Sequence, residues 1–458
     1  MFKLRPKYKK SKVSIVIAIA LIISASVFML LQVFEGEKPF AEIKISPVPE
    51  FLGSKNELII KASDMKRGLR SIKVSIIQGG RSILIFYKQF DFNGFLNQAG
   101  VKDYETTIAL APSTYNLAQG HVELLCEVRD FSRRKGGDGN LTVLRYNLMV
   151  DTVPPTARAI SRQHNINQGG IGFIVYQVSS DTVNSGIVVG SHFFKGYPLR
   201  IEQNLMQCYF TIPLGEEASK NINIWAIDKA GNSSETGFYY HILKKRFRER
   251  DMNVSKNFIR EMLVKFESSA SASDAENLEK FLNINRNVRK INDDSFKELA
   301  LKTSPEQLWD GEVFISLPNS ANMARFGDVR YYIYNGERID VQTHMGLDLA
   351  SLANSDVPAA NSGKVIFTGD LGIYGLTVVI DHGLGVATSY SHLSSISVEA
   401  GRTVNKGETI GITGETGWAL GDHLHYGVMV NGFFVNPIEF LDPHWIRDNI
   451  TRRLTAAE

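Results

Sequence analysis

The chain has 458 residues, too many for one ordinary hydrophobic core, so two to four domains are expected. Its composition, 43% hydrophobic and 22% charged with ample Phe and Tyr, is that of folded protein. A net charge of +3 is nearly neutral for this length, and no basic stripe with interleaved aromatics follows the first dozen residues, which excludes a nucleic-acid binder.

The N-terminus reads as a membrane signal. Lys3, Arg5, Lys7, Lys9, Lys10 and Lys12 precede an uncharged run from Val13 to Phe34. As a helix, those residues rise roughly 33 Å, enough to cross a hydrocarbon core. A single-pass anchor over 13–34 in the inner (cytoplasmic) membrane is expected, with the basic segment 1–12 cytoplasmic and everything after Glu35 exported. A cleaved signal peptide is the rival reading, because Ser24-Ala25-Ser26 offers small residues. The apolar run continues past an ordinary signal core through Leu30, Leu31 and Val33, which favours the anchor.

Residues 36–245 read as β structure. Alternating runs recur at Glu57–Ala62, Ser71–Ile77, Ser82–Tyr87 and Asn223–Ile227, separated by turn-rich stretches as in antiparallel sandwiches. A weak internal repeat divides the region. Cys126-Glu-Val-Arg-Asp130 is followed by Gly137-Asp-Gly-Asn140, and Trp225-Ala-Ile-Asp228 by Lys229-Ala-Gly-Asn232, so each time a strand ends in Asp and a Gly-Asn turn leads into another. The pieces resemble bacterial immunoglobulin-like modules, which implies two β-sandwiches, 36–150 and 151–245. Val150-Asp-Thr-Val-Pro-Pro155 lies between them, where paired prolines stiffen a connector. Cys126 and Cys208 alternate with apolar neighbours and read as small core residues of separate modules, not as a disulfide.

The period changes over 246–304. Phe258, Met262, Leu263 and Phe266 share one helical face, as do Leu278, Phe281 and Leu282, which predicts two linker helices broken at Ser268–Ser273 with Asp274 as the second N-cap. The mixed charges of Lys244–Asp251 read as a solvated bridge. From Trp309 onward glycine-punctuated strands return at Gly363–Phe367, Leu376–Ile380, Val386–Tyr390 and Tyr426–Val430, and Asn431-Gly432 predicts a hairpin turn.

Five of the ten histidines fall between His344 and His425. His423 and His425 are two apart and look to the same side of a strand, with Leu424 toward the core. His344 and Asp348 are four apart on one face of an extended segment, and Gly346 between them removes a side chain that would crowd a metal. Two such elements brought together offer His, Asp and His to one ion with a position left for water, the habit of catalytic zinc. His382 and His444 read as bystanders.

His344-Met-Gly-Leu-Asp348 and His423-Leu-His425 resemble the motifs of the M23 (lysostaphin/LytM-type) zinc metallopeptidases. The likeness extends to Arg325-Phe-Gly327, Gly363-Lys-Val365, Asp381-His-Gly383, Tyr390-Ser-His-Leu393, Val404-Asn-Lys-Gly407 and Asn431-Gly to Asn436-Pro437. It implies an antiparallel β peptidase domain over 305–442, followed by a tail at 443–458. It also implies Zn2+ held by His344, Asp348 and His425, a catalytic pair His392 and His423, and peptidoglycan as substrate. Asp422 departs from the family, many of whose members have proline before HxH. No HExxH motif supplies a glutamate base, and a histidine of near-neutral pKa can serve instead.

The expected function is thus a zinc endopeptidase cutting peptidoglycan crosslinks, on a mostly β multidomain scaffold whose sandwich modules offer surfaces to envelope protein partners. A non-catalytic envelope scaffold that recruits other wall hydrolases is the alternative, and such members typically lack zinc ligands. A surface-display protein is the third reading.

Overall fold

The computed structural model describes residues 12–215 and 221–456. Of the basic segment 1–12, residues 1–11 lie outside the described residues. Backbone proximity divides the chain into two compact units, Met1–Pro154 with Asp228–Asn232, and Pro155–Ile227 with Ser233–Glu458.

The first unit begins with the helix Lys12–Val33, whose 22 residues bury nothing against protein and are long and apolar enough to cross a membrane. Two antiparallel-rich sheets follow. One joins Phe40–Ser46, Asn56–Ser63 and Asp103–Leu110; the other orders Phe51–Leu52, Leu141–Val150, Gly120–Asp130, Leu69–Gln78 and Arg81–Gln89. Strand alternation sends Val122, Leu124, Cys126 and Val128 inward, where they meet Leu58, Ile60, Ile72 and Val74 in one core. Cys126 is a free thiol there, and burial pushes its pKa up to about 12. Cys208 is likewise free and buried in the second unit.

The Asp-to-Asn repeat has a physical basis. Asp130 Oδ1 accepts from the Ser132 and Asn140 amides at 2.9 and 2.7 Å, and Asn140 Nδ2 donates to Asp130 Oδ2 at 2.7 Å. That amide also donates to the Glu35 and Glu37 carbonyls, tying down the chain that enters the sandwich. Asp228 and Asn232 repeat the pattern, with Asn232 Nδ2 donating to the Asp151 carbonyl at 2.9 Å.

In the second unit two four-stranded sheets come first. One orders Tyr197–Arg200, Leu205–Thr211, Ile171–Val178 and Ala157–Ala159; the other orders His192–Lys195, Thr182–Val189, Ile222–Asp228 and Ser233–Gly237. Two helices then form as their periods dictate, Lys256–Glu267 and Asp274–Asn283. The cap of the second is Ser273, whose hydroxyl accepts from the Glu276 amide, and Asp274 is its first helical residue. This corrects the sequence expectation by one position. A further helix, Arg289–Ala300, was not anticipated.

The C-terminal region is built on an eight-stranded antiparallel sheet. Its order is Ala321–Ala324, Leu347–Ala350, Leu424–Val430, Val386–Leu393, Leu376–Gly383, Gly363–Asp370 and Thr403–Val404, with Phe433–Val435 paired to Leu424–Val430 through the Asn431-Gly432 turn. Both turn residues have positive φ, 48° and 81°, the geometry that twists a two-residue hairpin correctly. The sheet is covered on both faces. Val378, Ile380, Val428 and Val430 join a core with Phe314 and Phe440, whereas Val379, Ala387 and Met429 meet Leu263, Phe281 and Phe296 of the helices. Central strands are therefore buried at nearly every position, so their sequences read as continuous apolar runs.

Candidate functional site

Sheet register brings the first three residues together. Asp348 pairs with His425 across Leu347–Ala350 and Leu424–Val430, and His425 pairs with Ser391 on its other side. His344 enters from the end of the neighbouring hairpin, its backbone tied to Asp328 and Gly327. His344 Nε2 lies 2.8 Å from Asp348 Oδ1 and 3.1 Å from His425 Nδ1, and His425 Nδ1 lies 2.9 Å from the same oxygen.

Two imidazole nitrogens and a carboxylate oxygen thus form a triangle about 3 Å on a side. Donors bonded to one zinc at about 2.0–2.1 Å in a tetrahedral set stand roughly 3.3 Å apart, so small outward shifts fit these residues to the ion. The His344 tautomer suits it: Nδ1–H donates to the Arg325 carbonyl at 3.0 Å, which leaves the Nε2 lone pair facing the carboxylate. His425 Nε2 is buried without a partner among the described residues. Gly346 has a different role from the one expected. A Cβ there would come within 2.6 Å of the Tyr426 carbonyl and 2.8 Å of His425 Nε2, so the glycine makes room for the next strand and the His425 ring.

His392 reaches the same place by a backbone irregularity. Regular alternation after Tyr390, whose side chain lies in the core beneath the sheet, would send residue 392 to that same face. The register slips between the Val378–Tyr390 and Leu376–Leu393 pairs, and His392 takes a left-handed φ of 65°. The bulge turns the imidazole toward the site, with its ring centroid 4.9 Å from that of His423 and 5.9 Å from that of His425.

Both of these histidines are oriented alike. His392 Nδ1–H donates to the Thr416 carbonyl at 2.8 Å and His423 Nδ1–H to the Gly421 carbonyl at 2.7 Å, so in each ring Nε2 is the nitrogen turned away from that backbone contact. His423 Nε2 lies 3.6 Å from Asp348 Oδ1. Burial works against the Asp348 carboxylate, yet His344, His423 and His425 hold it well below the ordinary carboxylate range. Burial, with His423 and His425 nearby, keeps His392 well below the ordinary imidazole value. Burial depresses His425 to about 4 against the pull of Asp348. For His423 burial is outweighed by the hydrogen bond and charge of Asp348, and its pKa rises.

All five residues line one cavity of about 560 Å³. Sequence reasoning missed several of its walls. Arg330 donates to Asp348 Oδ2 at 3.1 Å. Tyr374, packed 5.5 Å from the His425 ring, donates its hydroxyl to Asp293 of the unanticipated helix at 2.7 Å. The strand Glu249–Asn253, read as part of a solvated bridge, pairs in parallel with Val329–Tyr334 and lines the cavity through Arg250 and Met252. The signal available was the alternation of Asp328, Arg330 and Tyr332. Asp422, the departure before HxH, accepts from the Asn354 amide at 3.0 Å and anchors the adjoining loop.

The bystanders stay apart from this centre. His382 is fully buried with both nitrogens satisfied, by the Ser362 carbonyl and the Thr388 hydroxyl at 2.8 Å each, and burial lowers its pKa to about 4. His444 is exposed beside Asp442.

Residues 342–437 match the model of peptidase family M23. The chain is 43% identical over 100 residues to the DD-carboxypeptidase/endopeptidase Mpg of Neisseria meningitidis, covering 22% of this chain and 23% of that protein. It is 39% identical over 99 residues to the peptidoglycan DD-endopeptidase ShyA of Vibrio cholerae, covering 22% and 23%. The chain thus spans about a quarter of the length of the curated relatives it matches. Among solved structures, the catalytic domain of lysostaphin from Staphylococcus simulans is 30% identical, with 27% of this chain and 94% of that chain covered and a TM-score of 0.24.

Proposed function

We propose that the peptidase family M23 domain of this chain is a zinc-dependent endopeptidase that hydrolyses peptide crosslinks of bacterial peptidoglycan in wall remodelling or division. The carrying observation is the His344–Asp348–His425 triangle with two further imidazoles, His392 and His423, in one cavity. It lies within a stretch similar to proteins named peptidoglycan endopeptidases.

His344 through Nε2, Asp348 through Oδ1 and His425 through Nδ1 would hold the zinc. Bound there, the ion would lower the pKa of its water to about 7 and polarise the scissile carbonyl. His392 and His423, each fixed by a carbonyl at Nδ1, present Nε2 to the cavity. Together they take the proton of the attacking water, hydrogen-bond the tetrahedral oxyanion and return a proton to the leaving amine. Arg330 orients Asp348 from its second oxygen.

The helix over 12–33, long and apolar enough to cross a membrane, supports an anchor. It is proposed to be single-pass in the cytoplasmic membrane, with the catalytic domain on the exported side because basic residues precede it. The proposed organisation is an anchor at 13–34, modules at 36–150 and 151–245, a helical linker at 246–304, the peptidase domain at 305–442 and a tail at 443–458. The modules offer surfaces to envelope partners.

The test is digestion of purified peptidoglycan by the full chain in detergent micelles. Soluble crosslink fragments should appear, vanish on chelation and return with zinc. A folded, zinc-loaded protein that releases nothing would overturn the enzyme in favour of the scaffold.

A further inference from the structure

The cavity beside the histidines holds an arginine, Arg250, that the proposed chemistry leaves unused. The strand Glu249–Asn253 lies outside the residues matching the family model, and it joins Val329–Tyr334 in parallel with Arg250 directly beside Arg330. Neighbouring strands run about 4.8 Å apart, so two guanidinium stems rise side by side, with Arg250 exposed to solvent, an arrangement that a bound anion would favour. Both line the cavity. Arg330 is already engaged by Asp348. The other charges of the added strand also have protein neighbours: Asp251 meets Arg338 at 3.4 Å, and Glu249 lies 3.5 Å from the Tyr331 hydroxyl. The Arg250 side chain has neither a hydrogen bond nor an ion pair to protein among the described residues, although its backbone belongs to the paired strand.

We propose that Arg250, backed by Arg330, is a specificity-determining carboxylate subsite: it receives a free carboxylate carried by the substrate peptide close to the bond being cut. This rests on the peptidase reading of the same site. A planar guanidinium with open donors binds a carboxylate in two parallel hydrogen bonds. Its place fits a ligand on the substrate, because Arg250 stands beside Arg330 in register, Arg330 donates to Asp348, and all three line the cavity of the five site residues. The subsite favours peptides with an ionised carboxylate over the same peptides as amides. A solvated edge arginine, placed there only to discourage strand addition, makes no such distinction.

The experiment is calorimetric binding to the full chain in detergent micelles. The probes are an N-acetylated D,D-dipeptide with a free C-terminal carboxylate and the same dipeptide as its C-terminal amide. Wild type should prefer the carboxylate by about 10-fold or more. Arg250→Ala should abolish that preference by weakening the carboxylate alone, and Arg250→Lys should restore part of it. Equal affinity of wild type for the two probes, no binding of either, or equal weakening of both by Arg250→Ala overturns the subsite. Peptidoglycan digestion by the same wild-type preparation separates the two readings. Digestion without discrimination defeats only the subsite. Discrimination without digestion defeats the peptidase and leaves Arg250 a carboxylate-binding residue with no bond beside it to cut.

Discussion

The first unit and the C-terminal sheet both bury polar side chains, but they satisfy them differently. In the first unit Asn56 bonds the Gly53 and Leu110 carbonyls, Asn97 the Arg67 carbonyl, and Asp130 the amides of its own turn. Each uses its hydrogen bonds to fasten backbone. In the C-terminal sheet His344, Asp348 and His425 face one another, and His425 Nε2 has no partner among the described residues. Burying ligand-type groups with their remaining lone pairs converged on one point is costly unless something binds them. His382, saturated in the same sheet, shows that burial alone does not make a histidine chemical. A polar group whose bonds end on backbone is architecture. One whose lone pairs converge with others is a site.

The contrast can be broken from either side. The largest effect is expected from His425→Ala. Zinc affinity should fall by more than about 100-fold, the upper cost of losing merely an outer partner, and peptidoglycan digestion with it; metal analysis and fragment release check both. His392→Ala should slow digestion about 10²–10⁴-fold while zinc content stays at one per chain, which separates proton transfer from metal holding. Asp130→Ala should do the reverse. It leaves the Ser132 and Asn140 amides without their acceptor and should cost the first unit about 1.5–3 kcal/mol in denaturant unfolding, with digestion per folded molecule unchanged.

The smallest effect concerns Glu439, buried where it accepts from Asn167 and the Ile171 amide, with burial pushing its pKa up to about 7. Because the folded value lies above the ordinary 4.5, its contribution is fully present below about pH 4.5 and is lost as pH rises through about 7. The melting temperature of the second unit should fall by a few degrees from pH 5 to 8. Glu439→Gln should flatten that fall, and an unchanged slope in the variant would remove Glu439 as its cause.

Much of this arrangement was legible along the chain because it is local. Alternation in Val122–Val128 and in His423–His425 declares which side chains share a face, since successive strand residues point opposite ways whatever they pack against. The Asn431-Gly432 turn and the two helical faces at 258–266 and 278–282 are equally short-range. Ser273 as the cap in place of Asp274 marks the limit of such reading, because both residue types cap well and only the path of the preceding chain chooses between them.

The sequence by itself determined which residue types are available near His344, Asp348 and His425, and that His423 and His425 share a face; His344 lies instead in the bend between Glu337–Thr343 and Leu347–Ala350. Tertiary structure decided the rest. His392 joins the site only through a bulge and a left-handed φ that reverse its natural side, a choice imposed by pairing with Leu376–Gly383. Arg250 stands beside Arg330 only because a strand some eighty residues earlier adds to the sheet edge. Pairings over such separations are set by the packing of whole elements, and no local pattern of side chains encodes them.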